Sequence, residues 1–290
     1  MRKLPVLILG AAVTFLTGCY ADFGDSSERF QKDFRYTYPL KSGGTFVLEN
    51  MNGSVEITGW DREEAEITGV KYARTQALCD AVRIEITHSD AAVSVRTVRP
   101  FENNGNMGAR YLIHLPRKVI LDRVTSSNGK IRVEQIDGAA RLKTSNGSVN
   151  VTKLAGNVEA QSTNGAVEVE DVQGSAHLHT TNGHIQAEGI KESVDASSTN
   201  GGIELKMSSG VNGELHATTT NGGITVQLPA TVAARLNAYT SNSSISSAFE
   251  VGAQGRIEKH HLEGNLNGAS GSSPLIDLHT TNGSIHVEKL

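Results

Sequence analysis

From Asn128 onward, apolar and polar residues alternate in runs of about five, the signature of strands buried on one face. Asn128-Gly129 is followed by Ile131 and Val133, then Ile136, then Ala140, Leu142 and Thr144. The next units give Val149, Val151, Leu154, Val158, Ala160 and Ser162, then Val167, Val169, Val172, Ala176, Leu178 and Thr180. Ile185, Ala187, Ile190, Val194, Ala196 and Ser198 continue the columns, which run on through Ile203, Leu205, Leu215, Ala217 and Thr219 to Ile285 and Val287. Gly138, Gly156 and Gly174 mark a turn between the two short strands of each unit. The pattern predicts an all-β fold.

The units are periodic. Asn-Gly pairs begin at Asn128, Asn146, Asn164, Asn182 and Asn200, each 18 residues after the last. Asn221, Asn242 (followed by Ser243) and Asn282 continue the series at intervals of 21, 21 and 40 residues, as insertions into a repeating coil require. Ser or Thr precedes every one of these Asn residues. Asn-Gly between alternating runs is also the strongest short hairpin signal, so an antiparallel meander with type I′ turns competes with a solenoid. A meander, however, demands nothing of residues 18 apart. A β-solenoid stacks them in register at roughly 4.8 Å, so the repetition of several columns at once favours it. Alternation carried through the turn places the Asn side chains inward, where they form a hydrogen-bonded ladder from coil to coil. Residues 123–238 contain no Phe, Tyr or Trp, as suits a narrow interior filled by Val, Ile, Leu, Ala and Thr.

Outside residues 123–290 the beat weakens. Residues 41–122 alternate again, with strands expected near 45–49, 54–58, 65–70, 82–87, 92–98 and 111–115, and they hold Trp60 and several other aromatics. Met51 to Ile57 resembles one isolated copy of the repeat, which favours an irregular β region capping the solenoid over a separate sandwich. Residues 19–40 read as a polar, aperiodic tether, and about 248–274 as a Gly- and Asn-rich insertion with a strand near 256–262.

The first residues change the picture most. Arg2 and Lys3 precede an apolar stretch from Leu4 to Phe15, and Leu16-Thr17-Gly18-Cys19 follows. That is the layout of a secretory signal, removed at 1–18, and the stretch is too short to span a bilayer. Leu16 to Cys19 resembles a bacterial lipobox, which implies acylation of Cys19 and a cell-envelope location anchored in a membrane by lipid. Tyr20, not Asp, follows the anchor, which in a Gram-negative host points to the outer membrane. Loss of Arg2 and Lys3 moves the formal charge from −4 to −6, a balance with no footprint for nucleic acid. Cys79 is then the one remaining thiol, expected to pack as a small buried hydrophobe rather than to react.

Candidate chemistry is sparse. Glu168, Glu170 and Glu188 fall on one outer face and offer oxygens for Ca²⁺ or an acid–base pair. His177, His179 and His184, with His216, His279 and His260-His261, offer imidazoles for zinc. A solenoid's outer face must be polar in any case, so solvated surface is the simpler account of both groups. The reading assigns no catalytic residues, no metal and no cofactor.

Gly53-Ser54-Val55-Glu56-Ile57-Thr58-Gly59-Trp60-Asp61, then Tyr111-Leu112-Ile113-His114-Leu115-Pro116, then repeated Ser/Thr-Asn-Gly units ending in Leu278-His279-Thr280-Thr281-Asn282-Gly283-Ser284-Ile285, resemble a bacterial family. It is a domain of unknown function labelled "putative adhesin", or β-strand repeat protein. The resemblance covers about residues 40–290 and implies a fold similar to single-stranded right-handed β-helices, with no catalytic residues. The expected function is a non-enzymatic, adhesin-like scaffold or interaction module whose partners are the membrane, through the lipid, and an envelope or extracellular protein or glycan. The alternatives are a polysaccharide-active β-helix enzyme, or an envelope-stress or structural component without a ligand.

Overall fold

A computed structural model describes residues 30–100, 106–208, 210–251 and 256–290. The expected signal segment, 1–18, and the expected anchor at Cys19 lie outside these residues. Within them the chain forms two long sheets packed face to face, of 12 and 13 strands. Ten coils each give one strand to both sheets, and neighbouring coils pair in parallel, as in Val149–Leu154 between Ile131–Ile136 and Val167–Val172. This is a flattened β-solenoid.

The 18-residue coil closes because two turns recur at fixed positions. After Val133, Val151 and Val169 the strands carry Gln135, Lys153 and Asp171 at φ 59°, 58° and 55°, and Gly189 holds the same place in the next coil. A left-handed residue breaks the period of two, so Ile136, Leu154 and Val172 also turn inward and are fully buried. At the other turn stands the Asn-Gly pair. Neither Asn146 nor Gly147 has positive φ, so type I′ hairpin geometry is absent here. The Gly is needed for another reason. A Cβ built on Gly147 would lie 2.1 Å from the carbonyl oxygen of Gly129 in the coil before, and one on Gly165 would lie 2.0 Å from that of Gly147.

Packing between the sheets alternates in size along the stack. Ala140 and Leu142 are followed by Val158 and Ala160, then Ala176 and Leu178, then Val194 and Ala196, all essentially without solvent exposure. Each coil thus sets one large and one small side chain against the opposite sheet, which keeps the interior volume nearly constant from coil to coil. Burial of each Val or Leu contributes about 1.5–3 kcal/mol.

Both ends depart from chain order. The first coil in sequence, with strands Thr45–Glu49 and Val55–Trp60, is second in space: the 92–116 coil lies outside it and the 120–136 coil inside. At the far end, Leu275–Thr280 and Ile285–Lys289 insert between the 215–228 coil and the 234–247 coil. The simple reading of the 21- and 40-residue intervals, with coils stacked in the order of the sequence, is therefore corrected. Antiparallel strands then extend three of the four edges: Phe30–Pro39 on Glu64–Ala73, Arg83–Ser89 on Ala92–Val98, and His261–Leu266 on Ala234–Thr240, while the short strand Ile245–Ser247 ends the fourth.

The tether expected over 19–40 is corrected for its last ten residues. Phe30–Pro39 is a strand, because Phe34, Tyr36 and Tyr38 alternate onto the end of the core while Lys32, Asp33 and Arg35 stay at the surface. The strand anticipated near 256–262 is a small hairpin, Arg256–Glu258 against His261–Leu266.

Candidate functional surfaces

The Asn residues singled out by the period are all joined to their neighbours. Asn146 Nδ2 donates to Asn128 Oδ1 at 2.7 Å, and Asn164 to Asn146 and Asn182 to Asn164 at the same distance. Asn200, Asn221 and Asn282 continue at 2.8 Å, and Asn242 closes the row on Asn282 at 2.7 Å. Asn128 extends it the other way to Asn52, whose own amide donates to the Met107 carbonyl. Asn52 escaped the Ser/Thr-Asn-Gly signature because Met51 precedes it.

The inward orientation expected for these side chains is corrected. All of them are exposed, on an outer corner of the rod. The strand ends at Thr144, so alternation stops there and Asn146 belongs to the turn. The inner position is taken two residues earlier by a second, hydroxyl row. Thr144, Ser162, Thr180, Ser198 and Thr219 are buried and donate to the carbonyls of Gly129, Gly147, Gly165, Gly183 and Gly201 at 2.8–3.0 Å. Thr280 and Thr240 do the same to Gly222 and Gly283. Each coil's Gly is thus held from two sides: its missing side chain admits the neighbour's backbone, and its carbonyl accepts the neighbour's hydroxyl.

The outer faces are polar and paired along the axis. On the 12-stranded sheet Asn150 donates to Glu168, and Glu188 holds Lys206 at 2.5 Å. That hydrogen bond, and then the Glu188 charge, raise the Lys206 ammonium above its ordinary range. The three Glu residues considered for Ca²⁺ therefore line a shallow hollow of about 140 Å³ in which two are already engaged. On the 13-stranded sheet a longer groove of about 460 Å³ runs past Asp122, Arg141, Glu159, His177, Asp195 and His216. Arg141 bridges Asp122 at 3.2 Å and Glu159 at 3.6 Å.

The His residues do not converge. His177 meets Asp195 at 3.0 Å and His179 meets Ser197 at 2.8 Å, whereas His184 reaches Glu168 on the other face. His216 and His279 share Asp277, at 3.4 and 3.0 Å, and His261 contacts Asn237 at 3.1 Å. Among the described residues no group of three or more His, Cys, Asp or Glu side chains is disposed to hold a metal ion.

In the N-terminal region a buried polar knot joins Asn50, Thr97 and Tyr111. Thr97 Oγ1 donates to Asn50 Oδ1 at 2.9 Å and lies 2.6 Å from the Tyr111 hydroxyl, and Asn50 Nδ2 donates to the Ala109 carbonyl. Burial pushes the Tyr111 phenol well up. Cys79, on the short helix Gln76–Ala81, is buried with Ala73, Val82 and Met107, and desolvation raises its thiol. A thiol so placed is a poor nucleophile.

Two sheets of stacked parallel coils, joined at their turns by Asn and hydroxyl ladders, define the chain as a β-solenoid. The chain belongs to the Toastrack DUF4097 family, whose profile matches residues 45–288. No curated protein matches it. Among solved structures it is similar to a "putative cell adhesion protein" from Clostridium sporogenes ATCC 15579, at 11% identity over 89% of this chain and 100% of that chain, with TM-score 0.30. It is also similar to a "putative adhesin" from Bacteroides fragilis NCTC 9343, at 15% identity over 89% of this chain and 97% of that chain, with TM-score 0.47.

Proposed function

We propose that the protein is an envelope lipoprotein, anchored through Cys19, whose rod is a non-enzymatic interaction scaffold. The observation that carries the scaffold reading is the axial pairing of the surface charges. Arg141 sits between Asp122 and Glu159, His177 on Asp195, Lys206 on Glu188, and Asp277 between His216 and His279, so each acid–base pair that these groups form is closed on itself. A polysaccharide-cleaving β-helix needs such a pair free to act on substrate. No described helix is long and apolar enough to cross a membrane, so the lipid is the proposed attachment. From Cys19 to Phe30 the chain can reach at most ~40 Å. The capped N-terminal end therefore faces the membrane, and the coils project outward to meet a protein or glycan. In a host with two membranes, Tyr20 after the anchor favours the outer one.

The test is in the native host. Labelling with a radioactive fatty acid should mark the wild-type chain and not Cys19→Ala, and crosslinking pull-down of the anchored protein should recover a partner. Wild-type chain without label removes the anchor from the proposal. Turnover of an envelope glycan by the purified chain, with no partner recovered, overturns the scaffold reading.

A further inference from the structure

The last repeat of the chain fills a slot rather than ending the stack. Leu275–Thr280 and Ile285–Lys289 lie between the 215–228 coil and the 234–247 coil, with Ala234–Thr240 on the first and Ile245–Ser247 on the second. Asn282 bonds to Asn221 on one wall and receives Asn242 from the other. Thr280 donates to Gly222, and Thr240 on the far wall donates to Gly283. Ile276, Leu278, Ile285 and Val287 are fully buried between the walls.

Two features make this repeat exchangeable. The 267–274 linker is held at its ends, by Asn267 on the Ala230 and Val232 carbonyls and by Arg235 on the Ser273 and Pro274 carbonyls, while between them Gly268 and Gly271 stand in open space and Ser270 bonds to Ser273. Extended, its eight residues span up to ~28 Å. The walls themselves are also compatible: Asn221 and Asn242 are 21 residues apart, the same interval that separates the directly stacked Asn200 and Asn221. A vacated slot can close by stacking the walls on each other, so the repeat can leave without breaking the rod.

We propose that this slot accepts residues 275–290 of a second copy of the chain, giving a reciprocal, strand-exchanged dimer joined at the end of the rod remote from the N-terminal cap. The second copy is the occupant because its repeat carries every matching group by identity: the Asn for both ladder neighbours, the Thr and Gly for both walls, and the apolar side chains in register. Exchange of an identical element is a low-cost route to a dimer, and strained short hinges promote it.

The test uses full-length mature chains. Thr225 and His286 lie directly opposite each other across the slot wall. A chain carrying both Thr225→Cys and His286→Cys should crosslink within itself with a short bis-maleimide, which checks folding and proximity. Chains carrying one substitution each, co-refolded from urea as a mixture, can crosslink to one another only by exchange; buried Cys79 is controlled by the wild-type mixture. Heterodimer is expected, and deletion of 269–272 should raise the dimer fraction at least tenfold by light scattering. If the double variant crosslinks in cis while neither the full-length nor the shortened mixture gives heterodimer, the proposal is overturned. Should the shortened chain fail to fold, the full-length mixture alone decides.

Discussion

The coils between Ile131 and Leu228 and the coils at the two ends share one cross-section but obey different rules. In the middle, each coil stacks on its sequence neighbour, and the inward apolar columns, the hydroxyl row and the Asn-Gly turn recur one coil away. At the ends, the order in space departs from the order in sequence, aromatics return and antiparallel strands take over. A repeat therefore specifies how it stacks but not on which copy. A further consequence is that the 45–60 coil and the 275–289 coil are each held from both sides, where a terminal repeat of a simple array has one neighbour.

The sharpest way to break this comparison is a side chain in the Gly column. Gly165→Val places atoms against the Gly147 backbone, with no flexible side chain to yield. It should cost more than about 3 kcal/mol in urea melts, at the large end for single substitutions. Gly271→Ala, in open space at the C-terminal linker, should change stability by less than ~0.5 kcal/mol. Equal effects would mean the column is not in close contact.

Core truncation ranks next. Leu178→Ala removes the large member of a large–small pair, and Ala160 and Ala196 above and below it cannot fill the gap, so about 2–5 kcal/mol should be lost. Ile245→Ala, half-buried in the outermost strand of its sheet, should lose less than half as much. A matched loss at both sites would show that the end coil is as tightly packed as the middle.

The two ladders separate what the sequence reveals from what it hides. Eighteen-residue spacing made the coil, its inward columns and the Asn row legible, because stacking repeats chemistry at fixed intervals. The side on which Asn lies was not legible: alternation predicts it only while the strand lasts, and the strand stops at Thr144, before Asn146. The interleaved ends were hidden because Asn242 and Asn282 carry the same motif, and local pattern cannot choose between equal partners. The Phe30–Pro39 strand was masked by its charges, although the alternation of Phe34, Tyr36 and Tyr38 was visible in it. The dispersal of the His residues follows from which sheet each strand joins, which spacing alone does not state. Thr180→Val, which strips the inner ladder of one donor and leaves the half-buried Gly165 carbonyl without that partner, should therefore cost about 1–2 kcal/mol. Asn164→Ala, on the exposed ladder where water can replace the lost amide, should cost about half as much in the same melts. A larger loss at Asn164 would return the main stabilising role to the outer row.

The smallest effect probes the second turn of the middle coils, where neighbours share a left-handed backbone angle but not a residue type. Lys153 is held at φ 58° and Asp171 at 55°, while the next coil places Gly189 there at 69°. An L-residue in this region carries a cost of roughly 1–2 kcal/mol that Gly does not, but Gly also loses more backbone entropy on folding, by about 0.5–1 kcal/mol. The difference favours Lys153→Gly by ~0.5 kcal/mol, a rise of a degree or two in Tm at this chain length. The gain requires that the strain is real and that the Lys153 side chain contributes nothing to packing. A clear loss of stability would show instead that the side chains of this column hold the turn, with the left-handed angle a consequence of their packing.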